Sequence, residues 1–415
     1  MVMNYIWIGF IVVAFIVAIC KLVFLGDTGT ADQPDVFSRI ILSTFDSAKS
    51  GFELSLGLTG VLSMWLGLMK IGEKSGLIQY FARLASPVFS KLFPELPKDH
   101  PATGSIFMNF SANMLGLDNA STPIGLRAMQ QLQELNPHKE RASNSMIMFL
   151  CINTSGLTIV PIMIMMYRQQ LHAANPADVF LPILLTTFIT TLVAVAAVCI
   201  MQKINILQRN LLIFFLCAFG FIGGLMWLFH SLEREQVDHY SKLVANILLL
   251  CIICGFILWG FRKKLNVYET FIEGAKEGFT TAVKIIPYLI AIFLAIGMFR
   301  ASGAMDFIVD FIRRGVAAIG MDTSFVEALP TMIMKPLSGN SSRGMMIDAM
   351  LTYGPDSFVG RLACVAQGSV DTTFYIVALY YGSVAIRNSR YTLPCALLAD
   401  FSGSVVAIVM TYLFF

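Results

Sequence analysis

Apolar runs with few or no charges recur along the chain at 3–25, 54–72, 144–168, 179–201, 211–231, 243–261, 282–299, 359–385 and 393–415. Each reaches the roughly 17 to 25 residues that carry an α-helix across a bilayer, so the pattern predicts nine crossings. Two intervening regions, 73–141 and 300–358, are amphipathic instead. Their charges (Arg83 and Lys91; Asp306, Asp310, Arg313 and Arg314) recur at helical spacing. Such segments suit helices at the interface or folded back into the protein. The fold class expected is an all-α polytopic membrane protein.

The same pattern repeats. AKSGFELSLGLTGVLSMWLGLMKIGEKSGLIQYF from Ala48 aligns without a gap with AKEGFTTAVKIIPYLIAIFLAIGMFRASGAMDFI from Ala275, at an offset of 227. Lys49, Gly51, Phe52 and Gly76 thus recur as Lys276, Gly278, Phe279 and Gly303. The offset falls to 219 where NASTPIGLRAM meets SGNSSRGMMIDAM, to 214 for INTSGLT against AQGSVDT, and to 212 for Pro182 against Pro394. Order is kept and each drop reads as a loop deletion. The expected organisation is a leading helix and loop at 1–43, a first repeat at 44–201, two connecting helices at 202–270 and a second repeat at 271–415.

Five crossings separate Ala48 from Ala275 if the amphipathic regions enter without crossing, and an odd number inverts the second copy. Lys139/Arg141, Lys203/Arg209, Arg262/Lys263/Lys264 and Arg387/Arg390 then share one side. The acidic loops around Asp27, Asp32 and Asp35 and around Glu233, Glu235 and Asp238 share the other. Positive loops stay inside, which predicts a cytoplasmic N-terminus and an extracytoplasmic C-terminus. Arg313 and Arg314 run against that rule.

Against this apolar background, GLDNASTPIG (Gly116 to Gly125) is a polar interruption. In lipid, a helix break survives only where it is buried in protein or lines a wet cavity. Ala102 to Leu115 predicts one helix, stopped at Gly116, and Ser121 or Thr122 is placed to cap the next, with Pro123 in its first turn. FVEALPTMIMK, a break at PLSGN, and Ser341 or Ser342 as cap repeat this grammar in the second copy. Both predict re-entrant helical hairpins whose tips meet near the midplane, with free N–H groups facing a polar solute. CINTSGLTIVP (Cys151 to Pro161) and AQGSVDTTFY (Ala366 to Tyr375) predict matching breaks in crossing helices. The alternative for each residue is local: Ser and Thr back-bond to their own helix and Gly permits close packing.

The substrate-binding candidates are Asn109, Asn113, Asp118, Asn119, Ser121, Thr122, Asn153, Thr154, Ser155, Lys335, Ser338, Asn340, Ser341, Ser342, Gln367, Ser369, Asp371 and Thr372. Asp371, Asn153, Ser155 and Asp400 are the ion-coupling candidates. An aspartate at mid-membrane costs about 2.5 to 3.5 kcal/mol on insertion scales, so Asp371 is expected to pair with Lys335 or to bind a coupling cation or proton. Lys335, before Pro336, is either a substrate counter-charge or a cation at a helix C-terminus.

Composition narrows the function classes. The chain is 56% hydrophobic and 13% charged, with a net charge of +3 and no dense basic arm, which argues against nucleic-acid binding. No phosphate-binding G-x-x-x-x-G-K-[ST] occurs, nor H-E-x-x-H or G-x-S-x-G, and the five histidines fall in predicted loops or at a helix end. Neither ATP use nor catalysis is expected, and no metal or cofactor beyond a coupling Na+ or H+. The eight cysteines lie in apolar runs, so buried thiols are expected, Cys251 and Cys254 included. The N-terminal run lacks a basic n-region and a small-residue cleavage site, as a retained helix would.

NFSANMLGLDNASTPIGLRAM (Asn109 to Met129) and NTSGLTIVP (Asn153 to Pro161) resemble spore maturation protein A. KPLSGNSSRGM (Lys335 to Met345) and AQGSVDTTFYIVALYYGSV (Ala366 to Val384) resemble spore maturation protein B, so the chain resembles a fusion of the two. Both families carry the nucleoside recognition, or Gate, domain of concentrative nucleoside transporters and the ferrous iron transporter's membrane part. The resemblance implies a bacterial inner-membrane protein, linked in spore formers to core dehydration. Carried over, the nucleoside-transporter pattern has the tips and broken helices hold substrate, with sodium between the first tip and Asn153 to Ser155. The function expected is an ion-coupled secondary transporter of a small polar solute (amino acid, peptide or nucleoside-like). The alternatives are a non-transporting scaffold or regulatory partner, or a lipid translocator. The expected partners are the solute and membrane lipids, with homo-oligomerisation left open.

Overall fold

The computed structural model describes residues 2–29, 34–77, 80, 91–97, 100–114, 118–159, 161–204, 216, 220, 223–224 and 234–415. The crossing expected at 211–231 falls almost wholly outside them, as do Gly116 and Arg83. Helices α1 (Val2–Leu25) and α2 (Val36–Lys74) are followed by α3 (Pro101–Met114), α4 (Asp118–Leu135), α5 (Asn144–Thr154), α6 (Ile162–Gln170) and α7 (Phe180–Gln202). Next come α8 (Arg234–Arg262), α9 (Val267–Ala301), α10 (Ala304–Ala318), α11 (Leu329–Leu337), α12 (Gly339–Tyr353), α13 (Phe358–Ser369), α14 (Thr373–Ser383) and α15 (Thr392–Phe414). No strand occurs among the described residues.

Seven helical stretches there are long and apolar enough to cross a membrane: α1, α2, α7, α8, α9, the α13–α14 run and α15. The protein is an all-α, multi-pass membrane protein. The expected crossing at 144–168 is split into α5 and α6, because Gly156 takes a left-handed φ of +65° and Pro161 supplies no N–H.

The most extensive packing joins α2 to α9. These helices are 39 and 35 residues long, so the divisions expected at 43/44 and 270/271 fall inside them. Each starts at a side-chain cap, Asp35 accepting from Phe37 and Ser38 N–H and Asn266 from Glu269 N–H. They run antiparallel, in contact at their glycines. A Cβ on Gly51 would lie 3.1 Å from the Ile290 backbone, and one on Gly278 would lie 2.5 Å from Ser63 Cα. One on Gly274 would lie 2.9 Å from Gly67 Cα. Small residues let helix backbones approach closely where lipid provides no hydrophobic drive. Lys70 extends the pairing with an ion pair to Glu277 at 2.9 Å. Helix α1 packs on α9, where Trp7 Nε1 donates to the Ala291 carbonyl at 2.8 Å.

Two clasps tie distant connections together. Arg387 and Asn388 N–H donate to the Glu140 carbonyl at 2.9 and 3.0 Å, and Arg390 Nη1 donates to the Ala142 carbonyl and Asn144 Oδ1 at 3.1 and 2.9 Å. In the other clasp the fully buried Arg168 contacts Asp178 Oδ1 at 2.7 Å, Asp356 Oδ1 at 3.0 Å and the Pro355 carbonyl at 2.5 Å. Arg361 Nε completes it by donating to Asp178 Oδ2 at 2.9 Å.

Arg313 lies within α10 and pairs with Asp310 and Glu327. One expectation is corrected by packing. Cys20, Cys251 and Cys254 are exposed on helix faces, while Cys151, Cys199, Cys364 and Cys395 are buried: an apolar run fixes the medium, not which face meets protein.

Candidate functional site

Four interruptions meet. Between α5 and α6, Ile159 N–H donates to the Met114 carbonyl at the end of α3, at 2.8 Å. Between α13 and α14, Asp371 N–H donates to the Thr154 carbonyl at 2.8 Å. A Cβ on Gly156 would lie 2.9 Å from both Val370 C and Asp371 N, so the two breaks touch through backbone. The start of α12 closes the series, since a Cβ on Gly339 would lie 2.6 Å from Thr372 Oγ1.

The helix starts differ from those expected. Helix α4 already includes Asp118, so Ser121 and Thr122 lie within it and Pro123 is internal. The side chains of Asp118 and Asn119 lie outside the described residues. Helix α12 is capped by Ser338, which has extended backbone and accepts from Ser341 N–H at 3.2 Å. Ser341 and Ser342 follow inside the first turn.

Polar side chains link these segments. Asn109 Nδ2 donates to the Ser121 carbonyl at 2.7 Å, holding α3 to α4. Asn113 Nδ2 donates to Asn153 Oδ1 at 2.8 Å, and Asn153 Nδ2 donates to the Phe149 carbonyl at 2.8 Å. Ser342 Oγ lies 2.7 Å from the Thr331 carbonyl and 2.5 Å from Gln367 Oε1, joining α11, α12 and α13.

A cavity of about 170 Å³ opens beside the junction. Asn113, Asn153, Lys335, Gln367 and Asp371 line it together with Thr158, Tyr167 and Arg343. Those last three were not singled out from sequence. Arg343 carries a readable signal, a charge in the first turn after a break; Tyr167 sits in an ordinary apolar run. Asp371 does not pair with Lys335: it is exposed, and its Oδ1 accepts from Thr372 N–H at 2.7 Å.

Other candidates serve their own helices. Thr154, Ser155 and Ser369 donate to the carbonyls of Cys151, Ile152 and Ala366, Ser155 also lying 3.0 Å from Thr191 Oγ1. Thr372 is buried against α12, and Asn340 is exposed. Asp400 lies on α15, 3% exposed, with neither carboxylate oxygen hydrogen-bonded.

Comparison with known proteins gives the arrangement a context. The Gate family, described as nucleoside recognition, matches residues 55–170 and 282–387. Spore maturation protein B of Bacillus subtilis (strain 168) is 46% identical over 164 residues, 40% of this chain and 90% of its own length. Spore maturation protein A of the same organism is 41% identical over 192 residues, 46% of this chain and 91% of its own. The two matched Gate segments contain α3 to α6 and α11 to α14, the elements that make the four interruptions. The chain therefore belongs to the Gate family of nucleoside recognition membrane proteins, alongside spore maturation proteins A and B.

Proposed function

We propose that the protein is a secondary transporter, moving a small polar solute across a bacterial inner membrane by alternating access under a Na+ or H+ gradient. The Asp371 N–H to Thr154 carbonyl bond carries this reading, because it joins two interrupted helices directly beside a polar cavity. Discontinuous helices in matching positions present free backbone groups and half-helix dipoles to a solute. Lys335, Arg343 and Asp371 give the wall both signs of charge, which suits an amino acid, a peptide or a nucleoside-like solute bearing polar groups.

In this reading 44–201 and 271–415 are inverted copies. Antiparallel α2 and α9 support it: Gly51 meets Ile290 as Ser63 meets Gly278, and at the offset of 227 each pair is the other's equivalent. The clasps support it too. The connections near 141 and 387 meet each other, as do their counterparts near 355 and 175. Helices α3 and α11 have 14 and 9 residues, so they rise about 21 and 14 Å at 1.5 Å per residue, short of the roughly 30 Å core. They act as arms of re-entrant hairpins. The basic clasp at Arg141, Arg387 and Arg390 faces the cytoplasm with the N-terminus, leaving the C-terminus outside. No enzymatic step and no organic cofactor belong to this reading.

Proteoliposomes loaded with mixtures of amino acids, short peptides and nucleosides test it under imposed sodium or pH gradients. Gradient-driven uptake that Asp371→Asn removes is expected. If no gradient moves any solute, the protein is not a transporter.

A further inference from the structure

We propose that Asp400 is a proton-binding site, a carboxyl held neutral in the closed core that exchanges its proton with the cavity through Asp371. Its role in coupling rests on the transport reading; its protonation does not.

Asp400 lies in the first half of α15, and neither of its oxygens finds a hydrogen-bond partner. The Thr373 hydroxyl, first residue of α14, lies against it and is itself buried without a bond of good geometry. From the elements packed against α15, the titratable or charged groups facing this carboxyl are Cys151 on α5, Lys335 on α11 and Asp371 in the α13–α14 break. None of them closes an ion pair with it among the described residues. One turn further along α15, the atoms nearest a Cβ on Gly403 would belong to Val370, Thr190 and Ser369, all uncharged.

A carboxylate 3% exposed, with no hydrogen bond and no closed ion pair, is costly to keep ionised, and such a group takes up a proton instead. A dehydrated metal cation is a poorer occupant. Hard cations take about six oxygen ligands, whereas Asp400 and Thr373 supply three. A neutral carboxyl needs only one acceptor and one donor, which the Thr373 hydroxyl provides. Asp371, exposed on the cavity wall, connects the site to water. A proton from cavity water binds the Asp371 carboxylate, then passes to the Asp400 carboxylate, restoring the charge on Asp371. Asp371 sits in the break that leads directly into Thr373, the residue lying against Asp400, so the break links the cavity wall to the buried acid.

Infrared spectroscopy of the full-length protein in lipid nanodiscs tests this without any solute. At neutral pH the wild type should show the C=O stretch of a protonated carboxylic acid, and Asp400→Asn, which imitates the neutral form, should lose it. Thr373→Val should shift the frequency of the same band. An undiminished band in Asp400→Asn, an unshifted band in Thr373→Val, or no such band in the wild type overturns the proposal. In proteoliposomes Asp400→Asn should take up solute without accompanying proton movement. If the infrared band behaves as stated while no solute moves, the transport reading alone fails.

Discussion

Gly156→Ala probes the contact on which the site depends. Gly156 has φ +65°, where an alanine costs about 1 to 2 kcal/mol because its Cβ crowds the following carbonyl. The added methyl would also lie 2.9 Å from Val370 C and Asp371 N, and relieving such overpacking costs about 1 to 3 kcal/mol. Together the substitution should destabilise the junction by about 2 to 5 kcal/mol and push the α13–α14 break away. That stretches the 2.8 Å bond from Asp371 N–H to the Thr154 carbonyl and moves the Asp371 carboxylate off the cavity wall. Gly104 is the control: it sits within α3, takes no left-handed φ and has nothing within 4 Å of its added Cβ. Alanine there should be neutral or stabilise by up to about 1 kcal/mol through helix propensity. Thermal melting of purified protein, with uptake measured in parallel, reads both variants. Gly156→Ala should melt earlier and lose uptake, and Gly104→Ala should do neither. If both melt with the wild type, the two breaks do not touch and the argument fails.

Other perturbations address separate contacts. Ser338→Ala removes the α12 cap and should cost about 0.5 to 2 kcal/mol, lowering uptake while membrane expression persists; expression collapsing with uptake would mean the residue only packs. Asn153→Ala leaves the Asn113 amide only its longer 3.4 Å bond to Asn109 Oδ1 and should cost about 1 kcal/mol in stability but most of the uptake. Arg168→Met removes one of the two arginines paired with the buried Asp178, leaving Arg361, and should cost up to about 3 to 5 kcal/mol in a melt, with Asp178→Asn in the same chain recovering part of the loss.

Much was legible along the chain because the signals are local. The length of an apolar run sets the length of a helix in lipid, so α7 at 180–202 and α15 at 392–414 fall within a residue or so of the runs that predict them. Gly156 and Pro161 deny the chain a continuous helix whatever surrounds them, and the interruption between α5 and α6 could be read for that reason. Helix caps were less legible. Several Ser, Thr and Asp residues compete within four positions at each break, and the winner, Ser338 rather than Ser341, depends on how the preceding helix leaves the chain.

What a sequence cannot encode by spacing is which distant groups come to share one place. Thr154 and Asp371, Arg168 and Asp178, or Gly278 and Ser63 are brought together only when helices pack, and steric fit between small residues decides that meeting. The same holds for solvation. Asp371 and Asp400 are both aspartates in apolar stretches, yet one lies exposed on a cavity wall and the other is closed off without a partner. Composition and periodicity settled that this chain lives in lipid as interrupted helices. Tertiary packing settled which of its acids keeps its water, because burial belongs to the assembled neighbours and not to the residue.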